Sequence, residues 1–174
     1  MKQEFVMPVV VLSLLCLFVT LLLAVSNSFT KPVIEEAAAQ RAEAAKREII
    51  PHADGFELVK IEGLPRSVIE VYRTTNDAGF IFITTTLGYG GEMKLISGID
   101  TEGKLIKTAV LSHSETQGFG TPVFEEPHAG QFWGKDKHGI DEIHVISGAT
   151  ISSKAFEKGI RDSFEAFEKI KGLR

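Results

Sequence analysis

The chain is predicted to be an α+β protein, a largely antiparallel sheet with packed helices, preceded by one N-terminal transmembrane helix. Three observations predict this: an uncharged apolar run opens the chain, short strand-like segments separated by turn residues follow, and an amphipathic helical pattern closes it. Residues 5–25 carry no charge. At about 1.5 Å per residue they measure roughly 31 Å as a helix, enough to cross a hydrocarbon core. Pro8 lies near the start, where proline is tolerated, and Ser13 and Thr20 can return their hydroxyls to the helix backbone. Ala24 and Ser26 are small enough for signal-peptidase cleavage. The apolar run nevertheless exceeds the roughly 7–15 residues of a signal peptide, so we read residues 1–30 as a retained transmembrane anchor.

Residues 31–50 are alanine-rich with interleaved Glu, Arg and Lys, a composition that favours helix, and Pro32 suits a first turn. They read as a helical stalk that stops at Pro51. Residues 51–174 form the remaining domain, long enough to bury its own core. Within it, 56–61, 68–73, 80–84, 93–99, 105–111 and 142–146 have strand character. Asn76-Asp77-Ala78-Gly79 and Asp100-Thr101-Glu102-Gly103 separate neighbouring strands with hairpin-type turns, which makes the pairing antiparallel. Phe156, Ile160, Phe164 and Phe167 then recur at helical spacing, so 153–170 is expected to be a helix lying across the sheet, with Ser152 or Ser153 as its N-cap.

Cys16 is the sole cysteine, which excludes a disulfide, a thiolate metal site and a Cys-ligated iron–sulfur cluster. The net charge of −4 belongs to the chain beyond the span, since Lys2 and Glu4 are the only charges before Lys31. Such a balance does not suit nucleic acid as a partner. Charge does not set the orientation of the span either: Lys2 stands on one flank, and Lys31, Arg41, Lys46 and Arg47 on the other are offset by Glu35, Glu36, Glu43 and Glu48. His113, His128, His138 and His144 lack the spacing of a metal site or a nucleophile-elbow partner.

Three segments exceed ordinary structural needs. Ser147-Gly148-Ala149-Thr150 places hydroxyls where a strand would give way to a helix, and a helix start favours an anion by about 0.3–1 kcal/mol. Small hydroxyl residues are also common turn chemistry, so the tetrad alone leaves both readings open. Leu87-Gly88-Tyr89-Gly90-Gly91 surrounds a tyrosine with glycines, which lets backbone approach something flat or large, or simply makes a turn. His113-Ser114-Glu115-Thr116-Gln117-Gly118-Phe119-Gly120 is a polar, glycine-bearing loop after a strand, a usual place for functional groups. Trp133, after Gln131 and Phe132, suits either a ligand-facing position or the core.

The order Gly-Tyr-Gly-Gly, Gly-Ile-Asp, His-x-Glu-Thr-x-Gly-x-Gly, Gln-Phe-x-Gly-Lys and Ser-Gly-Ala-Thr is far rarer than any one piece. By it the chain resembles, over nearly its full length, the FMN-binding subunits of membrane electron-transfer complexes: the RnfG component of the Rnf complex and its relative NqrC of the sodium-pumping quinone reductase. Its short length is more similar to the Rnf component. The resemblance implies FMN joined covalently through its phosphate to Thr150, in a phosphoester made by a flavin transferase from FAD. It places Ser147, Gly148 and Ala149 around the phosphate, and Glu115, Thr116, Gly118, Gly120, Tyr89 and Gly90 along the flavin. It further implies an electron-relay subunit of an ion-translocating ferredoxin:NAD+ oxidoreductase, partnered by the other membrane and peripheral subunits, in the inner or plasma membrane with the FMN domain on the extracytoplasmic side. His144 stands where the family usually has aspartate, and Gln117 and Phe119 where it commonly has proline and leucine. The alternatives are an NqrC-like subunit, a stand-alone extracytoplasmic flavoprotein, or a tethered binding module without cofactor.

Overall fold

The structure, a computed structural model, describes residues 2–172. The chain divides into two compact units, Met1–Gln40 and Arg41–Arg174. A single helix, α1 (Lys2–Ile49), accounts for the first and continues into the second. Among the described residues it is the one helix long and apolar enough to cross a membrane, with a mean hydropathy of 2.9 in its best window. Thr20 donates to the Cys16 carbonyl at 2.7 Å, and Ser28 and Thr30 make similar bonds one turn back, so these hydroxyls are satisfied without water. Pro32, expected in the first turn of the alanine-rich helix, lies inside α1. A proline removes one backbone donor, and strong helix formers beyond it allow the ladder to resume.

In the second unit, β1 (Phe56–Leu58), β2 (Val68–Thr74), β3 (Phe80–Leu87), β4 (Glu92–Ile99) and β5 (Leu105–His113) form one antiparallel sheet in chain order. The connections explain that order. Asp100 accepts the N–H groups of Glu102 and Lys104, while Gly103 takes φ +91°, and together they close the turn between β4 and β5. Arg73 pairs with Asp77 across the turn between β2 and β3. A register shift at Lys94/Leu95 leaves Leu111 as an extra residue in β5, so the side-chain alternation reverses before His113, which pairs with Met93.

Both faces of the sheet are covered. On one, Phe82, Met93, Leu95, Ile99 and Leu105 meet Phe156, Ile160, Phe164 and Phe167 of α3 (Thr150–Gly172). Each such side chain contributes about 1.5–3 kcal/mol by burial. The expected helical spacing is therefore the buried stripe. On the other face, Ile81, Ile83 and Ile96 meet Ile49 and Ile50, from the end of α1. A Cβ on Gly98 would come within 2.3 Å of Ile49 Cγ2, so the missing side chain is what lets the helix end lie this close. Lys46, also buried, rests 3.4 Å from the Tyr72 ring centroid and pairs with Glu43. Burial, aided by the hydrogen bond to Glu70, pushes the Tyr72 hydroxyl up to about 12, so it stays protonated and donates to Glu70.

Two expectations are corrected. Residues 142–146 are not a strand: a 3₁₀ turn at Gly139–Glu142 is followed by irregular chain, held by the bond from Ile146 N–H to Ser153 Oγ rather than by a neighbouring strand. An apolar run of that length is bounded by packing, and among the described residues it pairs with no strand of the sheet. β1 also ends at Leu58, and Val59 keeps only a single bond to Val71.

Between β5 and α3 lie α2 (Glu126–Ala129) and two 3₁₀ turns at Thr121–Phe124 and Gly130–Phe132. His128 of α2 is buried against Phe132 and Phe156. Burial lowers its pKa from the ordinary 6.5, because the imidazolium would be desolvated without a partner. The unfolded chain thus binds this proton more readily than the native one. Stability is full above the unfolded value of 6.5 and declines as pH falls from there through the depressed native value. In urea titrations the His128→Leu variant should lose much of the decline seen in the parent between about pH 6.5 and 5; an identical pH slope in both would refute the assignment. Ile49→Ala should lower the unfolding free energy by about 2–5 kcal/mol, since it leaves a cavity against Ile81 and Ile96. An unchanged urea midpoint would show that the end of α1 is not part of the domain core.

Candidate functional site

Three segments converge on a cleft of about 510 Å³, within the roughly 300–1,000 Å³ usual for small-molecule sites. The first is the hairpin loop between β3 and β4, from which Tyr89 reaches the cleft. The last strand pair is Leu87 with Glu92, and Gly88 N–H donates to the Gly91 carbonyl, which closes a four-residue loop. The second is the loop after β5, contributing Glu115, Thr116, Phe119 and Gly120. The third is the start of α3, with Gly148, Ala149, Thr150, Ile151 and Ser152.

Short bonds hold the second loop. Glu115 N–H donates to His113 Nδ1 at 3.2 Å, the Thr116 carbonyl accepts from Phe119 and Gly120, and Gly118 N–H donates to Thr121 Oγ1. His113 must therefore carry its lone pair on Nδ1. Gly118 takes φ +78° there, a conformation glycine adopts without strain.

Glycines let the first two loops interlock. A Cβ on Gly88 would lie 2.0 Å from Glu115 Oε1, one on Gly120 would lie 2.2 Å from Oε2, and one on Gly90 would lie 2.3 Å from the Ser114 carbonyl. The Glu115 carboxylate thus sits between two glycine backbones, 8% exposed, with no hydrogen-bond partner at Oε1 among the described residues. Among the described residues it is the only charged side chain lining the cleft.

At the third segment, Ala149 N–H bonds the Ile146 carbonyl and the Ala149 carbonyl receives Ser153 N–H, so Ala149 is the residue on which the helix begins. Ser152 and Ser153 were expected as N-caps, but the helix starts earlier, at Thr150, and both lie buried in its first turn. Ser153 instead fastens the preceding chain through Ile146. Gly148 takes φ +84° at the bend. The Thr150 residue is exposed to the cleft, and first-turn N–H groups of a helix have no intrahelical acceptors.

Of the residues singled out in the sequence, Tyr89, Glu115, Thr116, Gly120, Gly148, Ala149 and Thr150 line this one cleft. Ser147, Gly118 and Gly90 do not. Phe119, Ile151 and Ser152 line it without having been assigned to a ligand in the sequence. Phe119 lies inside a quoted motif, and its departure from leucine was the available signal; Ile151 and Ser152 gave none, because a first-turn residue's facing depends on where the helix begins. Trp133 is elsewhere, in a groove beside Lys107, whose ammonium is 5.5 Å from its ring centroid. Gly90→Ala should separate the hairpin from the second loop, because a backbone carbonyl cannot yield as a side chain can. We expect a loss of about 1–3 kcal/mol in urea unfolding; an unchanged urea midpoint would refute the close approach.

Residues 88–165 match the FMN-binding domain family. That stretch begins at the hairpin glycine and contains all three segments of the cleft. The chain is 28% identical to the G component of the Na+-translocating ferredoxin:NAD+ oxidoreductase complex of Acetobacterium woodii, across 85% of this chain and 84% of that one. It is 27% identical to the G component of the proton-translocating ferredoxin:NAD+ oxidoreductase complex of Clostridium ljungdahlii, across 88% and 86%. To the G component of the ion-translocating oxidoreductase complex of Stutzerimonas stutzeri it is 28% identical, across 88% and 77%. Residues 88–165 are thus similar to FMN-binding domains, in a chain similar over most of its length to the G components of ion-translocating oxidoreductase complexes.

Proposed function

We propose that this chain is a membrane-anchored electron-relay subunit of an Rnf-type ion-translocating ferredoxin:NAD+ oxidoreductase, carrying FMN in a phosphoester to Thr150. The observation that carries the reading is the exposed Thr150 at the first position of α3, facing a cleft built from the loops of the FMN-binding domain. The residues fit the group. The cleft has a helix start with a hydroxyl, suited to a phosphate, and its loops carry exposed aromatic side chains suited to a flat ring. Among the described residues no lysine or arginine lines the cleft, so the phosphate would rely on backbone N–H groups and the helix dipole.

In the attachment step, Thr150 Oγ attacks the FMN phosphorus of FAD, the pyrophosphate bond breaks, AMP leaves, and the hydroxyl proton is released. A flavin transferase outside the cytoplasm supplies the catalysis, with FAD as the donor, which puts the domain, residues 51–174 by sequence, on the extracytoplasmic side of a plasma or inner membrane. The phosphodiester keeps one negative charge, which suits a single helix N-terminus better than a doubly charged phosphate would. When bound, the isoalloxazine supplies reversible electron transfer. The protein's part is to tether it, position it and set its surroundings. Gly148 and Ala149 bring backbone to the phosphate end, while Glu115 and Thr116 shape the wall beside the ring. The other complex subunits are the partners on both sides of the relay, and α1 provides the lipid contact.

The mass of the denatured, full-length protein tests the attachment. From a host containing the transferase, wild type should carry one covalent FMN increment and fluoresce in a denaturing gel, and Thr150→Ala should do neither. An unmodified wild-type mass would overturn the covalent linkage. Purification in mild detergent should bring other membrane subunits of the complex with the chain; recovery of the flavoprotein alone would favour a stand-alone carrier.

A further inference from the structure

The two edges of the sheet, β1 and β5, differ in how they are protected. β1 is three residues long, the short form that keeps an edge from recruiting another strand. β5 is nine residues long and contains no proline, and its one lysine, Lys107, is bound by Glu48 at 2.6 Å. On the outer side of β5 only the first residue is paired: Leu105 N–H donates to the Lys135 carbonyl at 2.8 Å, and the Leu105 carbonyl accepts from Gly134 N–H at 2.6 Å. Past that point, no other backbone bonds β5 from outside among the described residues. The register shifts leave Ile106 and Leu111 as extra residues, so Lys107 to Val110 between them is regular ladder.

Lys107, Thr108, Ala109 and Val110 line one groove of about 430 Å³. Side chains alternate between the two faces of a strand, so four consecutive residues share a groove only where it runs along the strand's edge. The opposite wall is mostly apolar, with Phe124, Ala129 and Trp133 beside Glu126. The groove also reaches His113, whose Nδ1 accepts the Glu115 N–H and whose ring centroid is 4.9 Å from that of Phe124. One side of His113 thus faces the groove, and the other holds the second loop of the cleft.

We infer that the outer edge of β5 is a strand-addition site, where an extended segment of another subunit of the complex pairs with Lys107 to Val110 as a sixth strand and lays apolar side chains against Phe124 and Trp133. The inference rests on the proposed membership of an Rnf-type complex, but not on the covalent bond to FMN. The groove itself selects the occupant. Unpaired main-chain donors and acceptors in a row recognise another extended main chain, and half-buried rings opposite favour apolar side chains over charged ones. A second copy of this chain fits less well, because it would bring its own wall of short helices to a slot that one extended segment fills. A strand seated there contacts the residue that supports the cleft loop, so the partner docks beside the electron carrier.

Backbone hydrogen exchange, compared between the isolated full-length chain in detergent and the purified complex, tests the site. Outward-facing amides within residues 107–110 should exchange about 10-fold more slowly in the complex, because an added strand accepts their hydrogen bonds. Glu126→Trp fills the groove from an exposed position and should cut recovery of the other subunits about fivefold without changing the urea midpoint. Glu125→Trp, exposed but outside the groove, should leave recovery within about twofold. Equal losses from both would place the contact on α2 and not in the groove. Edge amides that exchange alike in the two samples overturn the strand site, as does protection confined to the helices opposite. Protection that instead develops as the isolated chain self-associates would make the edge a homodimer face and overturn the assignment to another subunit. Recovery of the flavoprotein with no other subunit would sink the complex and the strand site together, whereas recovery with subunits but an unprotected edge would sink the strand site alone.

Discussion

The position of the site depends on how closely α3 approaches the sheet. At Gly159 a Cβ would stand 2.5 Å from Leu95 Cδ1 and 3.0 Å from Thr84 Oγ1, so the helix lies almost on the strands at its middle. Phe156 and Ile160 beside it, with Phe164 and Phe167 further along, fill the space to either side. With the helix fixed in this way, its first turn has one place to go, and Thr150 reaches the cleft without a dedicated scaffold. Phe156 also contacts Phe124 and Phe132, so the short helices after β5 are packed by the residue that positions the helix start. Core packing and site geometry are the same constraint here.

The second wall of the site is built by removing side chains. Gly88, Gly90 and Gly120 allow backbone and a carboxylate to occupy space that any Cβ would take. A buried carboxylate oxygen with no partner is unfavourable in itself, by several kcal/mol in order of magnitude. Its retention between two glycines at the edge of a cleft is the pattern expected where function outweighs stability. The His113 bond to the Glu115 backbone and the bulge at Leu111 bring the end of β5 to the same place.

On the opposite face, the end of α1 completes the domain. Ile49, Ile50 and the buried Lys46 cover Ile81, Ile83 and Ile96, so the compact unit begins at Arg41 and includes the last turns of the helix. On the proposed function, a cofactor bonded to the protein cannot diffuse away from an extracytoplasmic surface, and a helix that is also part of the core holds the carrier at the membrane.

The sequence by itself determined the apolar helix, the antiparallel strands joined by Asp100 to Gly103 and Asn76 to Gly79, and the buried stripe of α3. These depend on local chemistry: an uncharged run of bilayer length, turn residues with particular backbone preferences, and a repeat near 3.6 residues. It also marked Tyr89, Glu115, Thr116, Gly120 and Thr150, because an unusual order of small motifs is visible without coordinates. Tertiary structure alone decided that residues 142–146 are not a strand, since whether a short apolar run pairs depends on a neighbouring edge. It decided that the helix begins at Thr150, because Ser153 is engaged by Ile146 rather than by the helix terminus. It decided that Phe119, and not Trp133, lines the cleft. Burial and facing belong to contacts between segments far apart in the chain, and no local pattern encodes them.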